Sequence, residues 1–312
     1  MHLQRLFIAL AALTFFFSTD VFSQAADPRK PSGKKSPILV GPVFGYNKSM
    51  HTGGFASIVG DVQCPTFETG TDNGYYFGFS GEYLLGDPKN ANSSIIARVV
   101  YDYQPASFSV DGDKYPSKLL GSSSSSQVVE SQVQHVTVVK YSLLNMEVMY
   151  RFNLPGTMLG LTAGPQFGIP MGGTQEQRFE LAFDPSNPVQ FVAPTVPGSL
   201  QLSGNDIAGK NGYKPEYVDD TKTSIRLYSG DIIDKSPFRL GLKFGAQYEI
   251  LAGSLLFVPA VYYNLGLTKV NTGDNWTVSA LQIGADLRFS LLSQINTNKK
   301  TIQLLGWFFY YL

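Results

Sequence analysis

Cysteine is almost absent. Cys64 stands alone, so no intramolecular disulfide can staple the fold, and a lone thiol is chemically idle unless its surroundings activate it. Nor is there an excess of either charge: 24 basic side chains face 24 acidic ones, leaving no field to hold a nucleic acid. Nucleic acid is therefore excluded as a partner. No Gly-rich phosphate loop, cysteine pair or heptad occurs, so nucleotide, zinc and coiled-coil readings have no support and no cofactor is expected. Beyond the N-terminal segment no apolar run approaches the roughly 20 residues of a membrane helix. Yet charged residues are only 15% of the chain and hydrophobic ones 43%, and so low a charge needs another explanation.

At the N-terminus Arg5 precedes an apolar run over residues 6–17, then small and polar residues. That is the pattern of a secretory signal peptide. Residues 1–23 are expected to be removed, with cleavage before Gln24 favoured and before Ala26 second, since Val21-Phe22-Ser23 is only loosely small-x-small. With no cysteine near that point, a lipid-anchored N-terminus is excluded. Residues 24–36, rich in Pro, Lys and Ser, read as a flexible leader.

From residue 37 onward the dominant signal is period two. Leu281, Ile283, Ala285, Leu287, Phe289 and Leu291 alternate with Gln282, Gly284, Asp286, Arg288 and Ser290. Phe238, Leu240, Leu242, Phe244, Ala246, Tyr248 and Ile250 alternate with Arg239, Gly241, Lys243, Gly245, Gln247 and Glu249. Such a run is long for a soluble strand, typically about 5–6 residues. Weaker versions occur over residues 38–47, 75–85, 95–103, 136–152, 158–168 and 255–266. Within 136–152 the apolar parity changes, with Val139 and Tyr141 out of phase with Leu144 to Phe152, which predicts a bulge near Leu143. Pro42, Pro165 and Pro259 fall inside segments and predict bulges or strand ends, because proline removes a ladder donor.

The connections alternate in length. Gly86-Asp87-Pro88, Asn153-Leu154-Pro155-Gly156 and Ala252-Gly253 are short turns, whereas residues 48–74, 104–135 and 169–237 are long. Long loops on one end and short turns on the other, with an even strand count, characterise transmembrane β-barrels, whose alternation hides them from hydropathy windows. The expected fold is all-β: a closed antiparallel up-and-down barrel of eight strands over residues 37–292.

With eight strands the interior is filled by side chains. Glu82, Asp102, Glu147, Glu249 and Asp286 fall on the inward parity, as do Arg98, Arg151, Arg239, Lys243 and Arg288. Equal numbers of acids and bases predict a lumen plugged by paired charges, since buried charge is tolerated only when paired. Tyr75, Tyr83, Tyr101, Tyr103, Tyr150, Phe152, Phe238 and Tyr248 lie outward near predicted strand ends, where rings meet headgroups.

Catalysis and metal binding find little. His51 and His135 are read as loop or rim residues; His135 has Glu130, Ser131 and Ser142 nearby in sequence, a loose echo of Ser/His hydrolase logic. Asp72-Asn73-Gly74, Asp111-Gly112-Asp113 and Asp219-Asp220 are read as turn formers because none completes a calcium cage. The protein is expected not to be an enzyme and to hold no metal.

The phrases from Gly164 to Phe167, Phe238 to Gly245 and Gly284 to Phe289 resemble the strands of small outer-membrane β-barrel proteins, the PorT-like family in particular. The architecture is also similar to the transmembrane domain of outer-membrane protein A, whose lumen is filled with paired charges. The likeness covers residues 38–291. It implies a Gram-negative-type outer-membrane location, lipid as surroundings, and a role as anchor, adhesin, secretion accessory or, rarely, lipid-modifying enzyme. Residues 293–312 depart from it, since such barrels stop near an aromatic such as Phe289. The expected function is structural, or the presentation of loops to an extracellular or envelope partner, by a monomer. The largest loop, residues 171–236, with those holding Cys64 and Ser122 to Ser126, would carry recognition. A narrow pore and an outer-leaflet lipid enzyme are the alternatives.

Overall fold

Alternating β-branched, aromatic and glycine residues build one antiparallel sheet of thirteen strands among the described residues of this computed structural model. Those residues are 37–56, 66–86, 91–120, 128–182, 188–192, 215–252 and 255–290. The signal peptide at 1–23, the leader at 24–36, Cys64, Ser122 to Ser126 and the tail at 293–312 lie outside them. The strands are β1 (Ile38–Ala56), β2 (Thr66–Leu85), β3 (Ser93–Tyr103), β4 (Ala106–Leu119), β5 (Val128–Asn153), β6 (Leu159–Leu181), β7 (Val189–Phe191), β8 (Glu216–Tyr217), β9 (Ser224–Asp231), β10 (Arg239–Tyr248), β11 (Ile250–Ala252), β12 (Leu255–Gly266) and β13 (Thr277–Ser290).

Ladders run β5-β3-β2-β1-β13-β12-β10-β6, and β6 pairs in turn with β5. Several named strands share one path. β3 and β4 pair with β5 in the same register, Tyr103↔Ser142 followed by Ala106↔Val139. Likewise β9 and β10 lie one after the other along β6, and β11 continues the β10 path along β12.

Three expectations are corrected. The long connections contain strand: β1 continues to Ala56, β2 begins at Thr66, β4 fills much of 104–135, and β6 runs on to Leu181 and β9 covers Ser224–Asp231 within 171–236. The bulge exists but belongs to β6. Ser142 pairs with Gly172 and Leu143 with Pro170, leaving Met171 as the extra residue. Along β5 the inward phase never changes, because Val139, Tyr141, Leu143, Asn145 and Glu147 are all buried. Finally, the three prolines cause no bulge. Register is kept through Pro42 on the β13 side and through Pro165 on the β5 side, where pairs are merely skipped. Pro259 lies where the β12 ladder passes from β10 to β11 without a change of register. A missing donor opens a ladder locally without inserting a residue.

The two faces change character along the strands. Toward the short-turn end the outward face carries Ile38, Phe44, Tyr46, Phe77, Phe79, Tyr83, Ile95, Val99, Val148, Tyr150, Leu240, Phe244, Val261 and Ile283, all exposed. Tyr46, Tyr75 and Tyr103 stand at one level across three strands. Beyond that level the outward positions turn polar, with Lys48, Thr52, Asn73, Thr71, Lys140 and Thr174 exposed. The buried face changes in the opposite sense: charged and amide groups below, and above them a cluster of Phe55, Phe67, Phe108, Tyr141, Val139, Ile232, Val270 and Trp276. Farther along, Tyr115, Val133, Phe179, Phe191, Ile225 and Leu227 form a second apolar core.

Candidate functional site

All ten charged residues that the sequence places on the inward parity are buried. Period two carries them there: each lies on β2, β3, β5, β10 or β13, except Glu249, which sits at the break between β10 and β11. Glu82 is the centre of the lower part. Its Oε1 accepts from Arg151 Nη1 at 2.8 Å and from Ser94, and its Oε2 accepts from Arg288 Nη1 at 2.5 Å. Arg151 also donates to Glu249 and, through Nε, to Asn153 Oδ1 at 2.8 Å.

Arg288 passes the network on to Asp286, Nη2 to Oδ2 at 2.8 Å. Asp286 in turn accepts from Arg98 Nη2 at both oxygens, 2.9 and 2.8 Å. Arg98 Nη1 lies 3.9 Å from Glu147 Oε2, and Lys243 Nζ donates to Glu147 Oε1 at 2.6 Å. Tyr262, which the sequence reading did not single out, sits in the middle. Its hydroxyl accepts from Arg98 and Gln247, while the Arg98 guanidinium and Lys243 ammonium lie 4.6 and 4.7 Å from its ring centroid. The cations thus meet both carboxylates and an aromatic face.

Asp102 and Arg239 stand outside these ion pairs. Four amides solvate Asp102: Asn47 Nδ2 at 2.6 Å, Gln104 Nε2 at 2.8 Å, and Asn145 Nδ2 and Gln282 Nε2 at 3.0 Å each. The amides are invisible as site residues in the sequence, because Asn and Gln on an alternating strand look like any polar position. Tyr76 is similar: it covers the facing pair Gly45 and Gly284, where an added Cβ would run into its ring or hydroxyl.

The histidines are not rim residues. His51 lies in β1 with Nδ1 accepting from Trp276 Nε1 at 3.0 Å and Nε2 3.1 Å from the Gln104 carbonyl oxygen, so a neutral ring protonated at Nε2 satisfies both partners. It is packed at 5.7 Å from Trp276 and 5.9 Å from Phe108. His135 is buried on β5 against Phe179, ring centroids 4.3 Å apart. Ser142 is seven residues along the same strand, about 23 Å at strand rise, so the structure does not assemble His135 and Ser142.

Asp72-Asn73-Gly74 and Asp111-Gly112 lie within β2 and β4 rather than in turns. Asp219 does cap a turn, accepting from the Thr221 backbone at 3.0 Å. Among the described residues no group of three or more His, Cys, Asp or Glu is placed to hold a metal ion. Between β8 and β9, Glu216 accepts a hydrogen bond from Arg226 Nε at 3.0 Å, which raises the guanidinium above its ordinary pKa.

No family model and no curated protein sequence matches the chain. Among solved structures the chain is similar to Neisserial surface protein A, with 9% identity and a TM-score of 0.28 over 83% of this chain and 100% of that one. It is similar to Ail, the attachment invasion locus protein of Yersinia pestis, at 12% identity and a TM-score of 0.30, covering 80% and 98%. It is also similar to the outer membrane protease OmpT from Escherichia coli, at 9% identity and a TM-score of 0.27, covering 83% and 99%.

Proposed function

We propose that the chain is an integral outer-membrane protein whose ladders close into an eight-stranded barrel. The barrel is a non-enzymatic, non-conducting scaffold that presents a folded β-head to an extracellular or envelope partner. One observation carries this reading: apolar groups face outward and ion pairs face inward up to a common level, and beyond it the pattern inverts. A water-soluble sheet has no reason to expose so broad an apolar band, since soluble monomers rarely expose patches beyond a few hundred Å². A bilayer supplies that reason. The apolar stretch on each strand is about 9–11 residues, the length a tilted strand needs to cross the hydrocarbon.

Closure is supported by the ion pairs, which join strands that are not ladder neighbours: β2 to β13 through Glu82 and Arg288, β3 to β13 through Arg98 and Asp286, β10 to β5 through Lys243 and Glu147. Counting β3 with β4, and β9 with β10 and β11, reduces the sheet to eight paths, with β7 and β8 as additions to the head. In lipid a closed sheet is the only one that leaves no unpaired edge. The PorT-like phrases accord with a role as anchor, adhesin or secretion accessory.

The test uses the full chain. Extracted in mild detergent, it should migrate faster on a gel before boiling than after, and it should fractionate with outer membranes. A chain that stays soluble and shows no heat-dependent shift overturns the membrane reading. For the head, protease treatment of intact cells followed by a surface-binding assay should abolish binding to the partner surface; binding that survives removal of the head rules out presentation. An acyl change in outer-leaflet lipid that depends on His135 would establish the enzyme instead.

A further inference from the structure

The ion pairs on the buried face balance among themselves. Arg98, Arg151, Lys243 and Arg288 are matched by Glu82, Glu147, Glu249 and Asp286, and Asp102 is held by four amides. Arg239 is left over. It is 5% exposed, and its Nε and Nη1 have no hydrogen-bond partner. No carboxylate among the described residues reaches it; the polar group beside it is the Tyr141 hydroxyl, within hydrogen-bonding range and without charge.

The space around this guanidinium is shaped. Gly266 lies beside it, and a Cβ there would stand 2.8 Å from Arg239 Nη2. Arg239 Nε–H and Nη1–H are therefore buried donors that no anionic acceptor meets. A buried cation deprived of its counter-charge is strongly unfavourable, and unsatisfied buried donors add to that cost. Water would accept from these donors but bring no charge. Buried donors on an uncompensated guanidinium are what an anion requires.

We propose that Arg239, with Tyr141 beside it, binds a small inorganic anion of the halide class as a structural ligand, buried between the ion-pair network and the aromatic cluster around Trp276. The site stands on the buried face whether or not the sheet lies in a membrane. A halide fits better than a polyatomic oxyanion because the donors offered are few and no second cation is present to share the charge.

Sodium bromide is the probe. The full chain, folded in detergent, is unfolded in urea at constant ionic strength while sodium gluconate is exchanged for sodium bromide. The folded state should be indifferent to bromide well below the dissociation constant, and above it each tenfold step should raise the folded-to-unfolded ratio about tenfold. Arg239→Met should abolish the bromide dependence. Crystals grown in bromide should show an anomalous peak at hydrogen-bond distance from Arg239 Nε. A midpoint indifferent to the exchange, or ordered water without anomalous signal at that position, overturns the proposal. Should Arg239→Met fail to fold, the unmutated chain's titration and the anomalous map each decide the matter alone.

Discussion

Glu82 divides its carboxylate between Arg151 and Arg288, so its removal strands two guanidinium groups at once, although each retains one other acid. Breaking a buried pair from one side costs about 3–5 kcal/mol, while replacing both partners by apolar groups is often neutral. Glu82→Gln should therefore lower the urea midpoint by that much, and pairing Glu82→Met with Arg288→Met should restore part of it. A loss under about 1 kcal/mol, the worth of a solvated pair, would mean that the network is hydrated. Tyr76 and the glycines beneath it give a second case. An added Cβ at Gly284 would run into the Phe44 carbonyl and the Tyr76 hydroxyl, so Gly284→Val should prevent folding. Tyr76→Phe, which removes a hydroxyl that has no partner, should leave the midpoint nearly unchanged. The charged members of this site were legible because an acid or base inside an apolar alternation is conspicuous. Tyr76, Tyr262 and the amides around Asp102 were not, because the same residue types are equally at home facing outward.

At the scale of the strand, β5 explains why its upper half looked irregular. Val139 and Tyr141 point inward, in phase with Asn145, Glu147 and Arg151; the inward surroundings change from ionic to aromatic, while the outward side changes from Val148 and Tyr150 to Lys140. Period-two reading equates a change of apolar parity with a flipped strand, and here the strand keeps its phase while the polarity of both faces changes. Phe79, 71% exposed, tests that medium. Phe79→Lys should cost about 2–4 kcal/mol in folding into lipid vesicles, and Lys48→Ala, beyond the apolar band, almost nothing. If Phe79→Lys stabilises the chain or leaves it unaffected, water rather than lipid covers this face. The upper parts of β4, β5, β6 and β9 read as loops for the related reason that their alternation is that of an ordinary soluble sheet, with apolar groups inside.

For the whole molecule, the ion network and the aromatic cluster lie one above the other on the buried face, so a closed barrel would be blocked twice. Planar-bilayer recordings of the purified chain should show no steady single-channel current, and a reproducible conductance would contradict the packed interior. What the sequence alone determined was the alternation: which residues share a face, that the charges on one face balance, and that turns and long connections segregate to opposite ends. Those are local properties, because side-chain direction in a strand repeats every two residues whatever the strand pairs with. Only the tertiary structure decided which acid meets which base, that Arg239 meets none among the described residues, that His51 and His135 are buried, and that the extra residue falls at Met171. Each depends on strands distant in sequence being brought into one register, and period two is blind to what lies across the interior.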